Sequence, residues 1–158
     1  MAESLRIVPS ATRVSAYAQL LPQLRALIAD ESDLTANQAN VSAALSAQFG
    51  FHWIGFYRVQ GEELVLGPFQ GPVACTRIGK GRGVCGTAWE RGATVIVPDV
   101  DLFPGHIACS ARSRSEIVVP YFDSNGAVAG VLDIDSERLD DFSEVDRVWL
   151  EEVVALLV

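Results

Sequence analysis

Two β-rich runs, Glu116-Ile-Val-Val-Pro-Tyr-Phe122 and Val128-Ala-Gly-Val-Leu-Asp-Ile134, are joined by Asp123-Ser-Asn-Gly126, and this junction constrains the fold more than any other stretch. Asn-Gly supplies the positive φ values that a two-residue hairpin turn demands, so the two runs are expected to pair antiparallel. A two-residue turn at Asn125-Gly126 also sets the register, with Glu116 opposite Asp135. Upstream, Phe51-His-Trp-Ile-Gly-Phe-Tyr-Arg-Val59 is aromatic or β-branched on both alternating faces, the pattern of a strand covered from both sides. Gly61-Glu62 then turns the chain into a partner strand over residues 64–68. A further strand is expected over 73–78, a sharp turn at Gly79-Lys-Gly-Arg-Gly83, a two-turn helix over 84–91 ended by Gly92, a short strand over 94–97, and a long loop over 98–113.

Helices flank these strands. Val14, Tyr17, Leu20, Leu21, Leu24, Leu27 and Ile28 recur at three- and four-residue steps, predicting a helix over 14–29 with Pro22 at a kink or a start. Asp33 can cap a second helix whose inner face uses Leu34, Val41, Leu45 and Phe49 before Gly50. Near the C-terminus Ser143 and Asp146 form a capping-box pattern, and Val145, Val148, Trp149, Val153 and Leu156 predict the buried stripe of a last helix. Hairpin-linked strands without regular β-α alternation predict an α+β domain, a mostly antiparallel central sheet with N- and C-terminal helices packed on it. One domain over residues 13–158 is expected, preceded by a flexible arm over residues 1–12 that carries no period.

Twelve basic against twenty acidic residues leave a net charge of −8, which disfavours nucleic acid and anionic membrane surfaces as partners. No run of residues reads as a transmembrane segment or a secretory signal, which points to the cytoplasm. Cys75, Cys85 and Cys109, separated by ten and twenty-four residues, match neither a secreted disulfide framework nor the paired ligand spacing of structural zinc. Neither a metal nor another cofactor is expected.

Several residues carry two readings. Cys109 stands in a loop of Pro, Gly and small polar residues, where an exposed reactive thiol competes with a buried structural one. Cys75 falls in the expected 73–78 strand, and Cys85 follows the glycine-rich turn near a helix N-terminus, a position that can depress a thiol pKa. His106 pairs with Cys109, as in acyl-transfer enzymes, or has an orienting role, or is a plain loop histidine. Asp133 and Asp135 leave the same face of one strand and are either solvated at its end or line a polar pocket. With Glu116 opposite Asp135, three carboxylates converge, a cluster that binds an ammonium and keeps a carboxyl protonated at neutral pH. Trp53 and Tyr57, four apart on a strand, are core aromatics or the apolar wall of a small-molecule pocket.

Trp53-Ile-Gly-Phe-Tyr57, Leu66-Gly-Pro-Phe-Gln-Gly71, Gly81-Arg-Gly-Val-Cys-Gly-Thr87, Pro98-Asp-Val100, Phe103-Pro-Gly-His-Ile-Ala-Cys109, Ser115-Glu-Ile-Val118 and Gly130-Val-Leu-Asp-Ile-Asp135 together resemble the free methionine-(R)-sulfoxide reductases built on a GAF domain. The resemblance runs from about residue 14 over nearly the whole chain. It implies a GAF-like fold and reduction of free methionine sulfoxide. By the same resemblance Cys109 is the catalytic thiol, Cys75 the main resolving cysteine that forms a disulfide with it, and Cys85 a possible second resolver. Glu116, Asp133 and Asp135 surround the substrate, Trp53 and Tyr57 wall its methyl group, thioredoxin is the reductant, and a homodimer is reasonable. Relatives often carry an acid directly after the catalytic cysteine, where this chain has Ser110. Two rival functions stand beside this one: a non-catalytic GAF sensor of a small amine or amino acid, and an acyl-transfer enzyme using His106 and Cys109.

Overall fold

In the computed structural model, which describes residues 4–9 and 12–158, the chain folds as α1 (Arg13–Ile28), α2 (Leu34–Phe49), β1 (Trp53–Gln60), β2 (Glu63–Gln70), β3 (Arg77–Gly79), α3 (Gly83–Arg91), β4 (Val95–Val97), β5 (Ser115–Phe122), β6 (Val128–Ser136) and α4 (Glu144–Ala155). The six strands form one sheet in the order β3-β2-β1-β6-β5-β4, with every neighbouring pair antiparallel. This is the α+β architecture expected from hairpin-linked strands. The expected arm, residues 1–12, lies partly outside the described residues. Within it Arg6 exchanges hydrogen bonds with the Gln23 side chain on α1, its N–H donating to Oε1 at 2.7 Å and its carbonyl accepting from Nε2 at 3.0 Å.

Alternation along β1, β5 and β6 sends residues to two separate cores. Ile54, Phe56, Ile117, Val119, Leu132 and Ile134 face α1, α2 and α4 and close against Leu20, Leu24, Val41, Leu45, Leu150 and Val153. The opposite face carries Trp53, Tyr57, Val118 and Val131, packed with Val84, Cys85, Ala88 and Trp89 of α3. Burying these side chains stabilises by about 1.5–3 kcal/mol per large residue, so the sheet has both faces anchored before any polar group is considered.

The hairpin between β5 and β6 differs from the two-residue turn expected. Its loop has three residues, 124–126: the Asp123 N–H donates to the Ala127 carbonyl at 2.8 Å and the Gly126 N–H donates to the Asp123 carbonyl at 3.0 Å. The Asp123 carboxylate accepts from the N–H groups of Asn125 and Ala127, and Gly126 takes the left-handed conformation at φ 81°. A register shift between Tyr121 and Phe122 absorbs the extra residue, and Glu116 still pairs with Asp135.

Four apolar positions depart from expectation. Val73 is 89% exposed and residues 73–76 are not a strand, because Gly71-Pro72 interrupts the edge ladder and only Arg77–Gly79 pairs with β2. Val14 and Leu34 lie on the exposed sides of their helices, and α1 runs through Pro22 without ending there. In α4 Val148 is half exposed while Leu150 and Val154 are buried. The helix is rotated from the predicted stripe because Asp146 points inward, accepting from Tyr17 Oη at 2.7 Å and Arg13 Nη1 at 3.0 Å. A buried carboxylate so paired is held in place as firmly as an apolar residue.

Gly130 on β6 marks the tightest approach in the sheet, since a Cβ there would overlap the Tyr57 carbonyl oxygen and the Tyr121 ring. Gly130→Ala is expected to destabilise by about 1–3 kcal/mol. A urea midpoint equal to the parent's, at an unchanged slope, would contradict this packing.

Candidate active site

Strand register assembles an acidic group on the α3 side of the sheet. Glu116 on β5 pairs with Asp135 on β6, Asp135 pairs with Trp53 on β1, and Asp133 sits between Val118 and Gly55. Glu116 and Asp133 retain 5% and 7% of their surface, whereas Asp135 stays half-buried. A narrow cleft opens over these three acids. Trp53, Tyr57, Ala74, Cys85, His106, Ile107 and Cys109 also line it.

The 72–75 segment and the 103–113 loop close the cleft from above. Cys75 and Cys109 are joined as a disulfide, with their Cα atoms 5.6 Å apart. Cys109 is exposed and Cys75 half-buried, so the bond is open to an external reductant. The two aromatics of β1 tie down the Cys75 side: Trp53 Nε1 donates to the Pro72 carbonyl at 3.0 Å, and Tyr57 Oη donates to the Cys75 carbonyl at 2.8 Å. On the other side Ser110, next to Cys109, lies 3.0 Å from His52 Nε2. The opposite ring nitrogen of His52 faces Glu137 at 3.2 Å.

Burial dominates the electrostatics of the acids. Burial raises the Glu116 carboxyl to about 8, and the charge of Asp135 adds to the rise. Burial also pushes Asp133 well up, reinforced by Glu116, while hydrogen bonding from Cys85 and the His106 ring pull the other way. Asp135 is raised by burial and then by Asp133, with Ser113 opposing. Cys85, 4% exposed, has its thiol pushed up by burial and by Asp133 and Glu116. One oxygen of Asp133, Oδ1, is sealed from solvent and lacks a hydrogen-bond partner. A proton or a positively charged guest is what such a group needs.

A GAF domain family model matches residues 29–158. The chain belongs to the GAF domain family. Over 158 residues this GAF domain is 55% identical to GAF domain-containing protein A of Dictyostelium discoideum, covering 99% of each chain. It is 47% identical to the free methionine-R-sulfoxide reductase of Escherichia coli, covering 89% of this chain and 86% of the relative. A solved structure of the free methionine-R-sulfoxide reductase of Neisseria meningitidis with its substrate superposes at a TM-score of 0.95 and 52% identity, covering 99% of this chain and 93% of that one.

Every side chain singled out in the sequence lies on or around one cleft of this GAF domain, but three stand differently from expectation. Cys75 is in irregular chain and not in a strand. Cys85 does occupy the first turn of α3, yet its thiol is raised, because burial beside two carboxylates outweighs the helix dipole. The His106 ring faces Glu116, Nε2 to Oε2 3.7 Å, while Cys109 is bonded to Cys75. Ser113 and Arg82 also line the cleft. Nothing in the sequence distinguished them from ordinary loop and turn residues.

Proposed function

We propose that this GAF domain, spanning residues 13–158 behind a short arm, reduces free L-methionine (R)-sulfoxide to L-methionine. Support comes from one coincidence above all: a Cys75–Cys109 disulfide stands over a cleft floored by Glu116, Asp133 and Asp135. Its relatives named as free methionine-R-sulfoxide reductases point the same way.

In this reading Cys109 attacks the sulfoxide sulfur while a carboxyl of the Glu116–Asp133 pair protonates the sulfoxide oxygen, which leaves poorly as an anion. The S–O bond breaks, the oxygen ends on Cys109 as a sulfenic acid, and the substrate sulfur departs as the thioether of methionine. The Cys75 thiol then displaces water from the sulfenic acid, forming the disulfide. Thioredoxin supplies the dithiol that returns both sulfurs to the reduced state. Asp135 and the acids beside it hold the substrate ammonium, and Trp53 and Tyr57 wall its methyl end. A peptide-linked methionine sulfoxide offers an uncharged amide in place of the ammonium, so the acids select the free amino acid. Cytoplasmic residence and a homodimer complete the proposal. Among the described residues no helix is long and apolar enough to cross a membrane.

Incubation with racemic free methionine sulfoxide and dithiothreitol tests it. The R epimer should be consumed, with the S epimer and N-acetylmethionine sulfoxide left behind. Equal loss of both epimers, or of the acetylated compound, would overturn the assignment.

A further inference from the structure

Four side chains that are distant in sequence converge in the cleft. Cys85 from α3, Glu116 from β5 and Asp133 from β6 are all buried and bring one sulfur and two carboxylate oxygens within 4.8 Å of one another. His106 adds a ring nitrogen 3.7 Å from Glu116 Oε2. Asp133 Oδ1, sealed and without a partner, lies within the same group.

We propose that Cys85, Glu116, Asp133 and His106 form a binding site for a thiophilic divalent cation of the Zn²⁺ class, and that bound metal and amino-acid substrate exclude one another. Thiolate, imidazole and carboxylate are the donors Zn²⁺ takes, in sets of four. Cys85, Glu116 and Asp133 lie close enough together to share one ion, and His106, beside Glu116, is the nearest candidate for a fourth donor. Mg²⁺ and Ca²⁺ favour all-oxygen sets, so the sulfur and nitrogen argue against them.

Charge points the same way. Glu116, Asp133, Asp135 and Cys85 crowd one small volume, and among the described residues Arg82 is the one Lys or Arg side chain lining the cleft. A dication displaces the protons that burial keeps on these groups and offsets the charge so uncovered more fully than a single ammonium does. The cleft provides an entry path, since its lining includes the exposed Ile107 and Cys109. Metal binding stands on this geometry alone; the exclusion of substrate rests on the function proposed above.

The test uses Co²⁺ as a spectroscopic stand-in, titrated into protein whose Cys75–Cys109 disulfide is left intact. With three cysteines in the chain, Cys85 is then the single thiol able to bind. A thiolate-to-cobalt charge-transfer band that saturates at one equivalent, is bleached by Zn²⁺, and is absent from Cys85→Ser supports the site. Glu116→Gln, which removes a donor without touching the thiol, should weaken binding at least about tenfold. No band in the parent, or a band that survives Cys85→Ser, overturns the metal site. The exclusion is read by calorimetry on Cys109→Ser, where one equivalent of Zn²⁺ should weaken binding of free methionine sulfoxide at least about tenfold, a change of 1.4 kcal/mol. Unchanged affinity there, with the cobalt band present, removes the exclusion and leaves the metal site standing.

Discussion

Reduced Cys75→Ser, given excess free methionine sulfoxide and thioredoxin with its reductase, should release one methionine per chain and then stall. Oxygen transfer needs only Cys109 and a proton donor, so the first turnover is untouched. With no thiol at position 75, the sulfenic acid has no partner at the disulfide distance, and thioredoxin, which attacks disulfides, has nothing to reduce. Cys85 does not rescue the variant, because its sulfur is buried against Asp133 while Cys109 is exposed in the loop above. Dithiothreitol, small enough to reach the sulfenic acid, should restore part of the rate. Cys109→Ser loses the first turnover as well, a fall of more than about 10³-fold with any reductant, the scale on which removal of a covalent nucleophile acts. Steady turnover of Cys75→Ser at the parent rate with thioredoxin would show that Cys75 does not resolve.

Glu116→Gln is expected to cut kcat/KM by about 10²–10⁴ near neutral pH, the usual worth of a general acid. The parent should lose activity as pH rises through about 8, where Glu116 gives up its proton. Removing Glu116 also removes a charge that raises Asp133, so Asp133 ionises at lower pH and any remaining alkaline limb moves toward acid. The parent's stability should fall with rising pH as well. The folded state holds the Glu116 proton up to about 8 against an ordinary value of 4.5, so the parent loses stability as pH climbs between those values. Below that window both folded and unfolded chains are protonated, and the variant gains nothing. Near pH 9 it should be more stable than the parent by on the order of 1–3 kcal/mol. An alkaline limb left unmoved in Glu116→Gln would take this carboxyl out of the proton transfer.

The acidic floor was legible in the sequence because it depends on parity. Asp133 and Asp135 are two apart on a strand, and a hairpin centred near Gly126 brings Glu116 across from Asp135. The loop holds one residue more than the Asn-Gly signal predicts, and the Tyr121–Phe122 register shift offsets it, so Glu116 faces Asp135 for a reason the sequence does not display. Capping patterns at Asp33 and Ser143 were equally local and equally visible. Long-range contacts were not. Tyr57 bonding the Cys75 carbonyl and Ser110 beside His52 join segments 18 and 58 residues apart through irregular chain, where no period constrains direction, and the approach of Cys85 to Asp133 depends on how α3 packs on β6. Asp146 shows the converse failure, since a buried carboxylate reads as a surface residue until its partners Tyr17 and Arg13 are seen.

Counting free thiols after one equivalent of free methionine (R)-sulfoxide is added to the fully reduced protein, with no reductant present, tests the central chemistry most directly. Three thiols should fall to one, with one methionine released per chain, and peptide mapping should join Cys75 to Cys109 while Cys85 stays free. Three thiols persisting beside tightly bound, unreduced sulfoxide would contradict catalysis and make the domain a sensor.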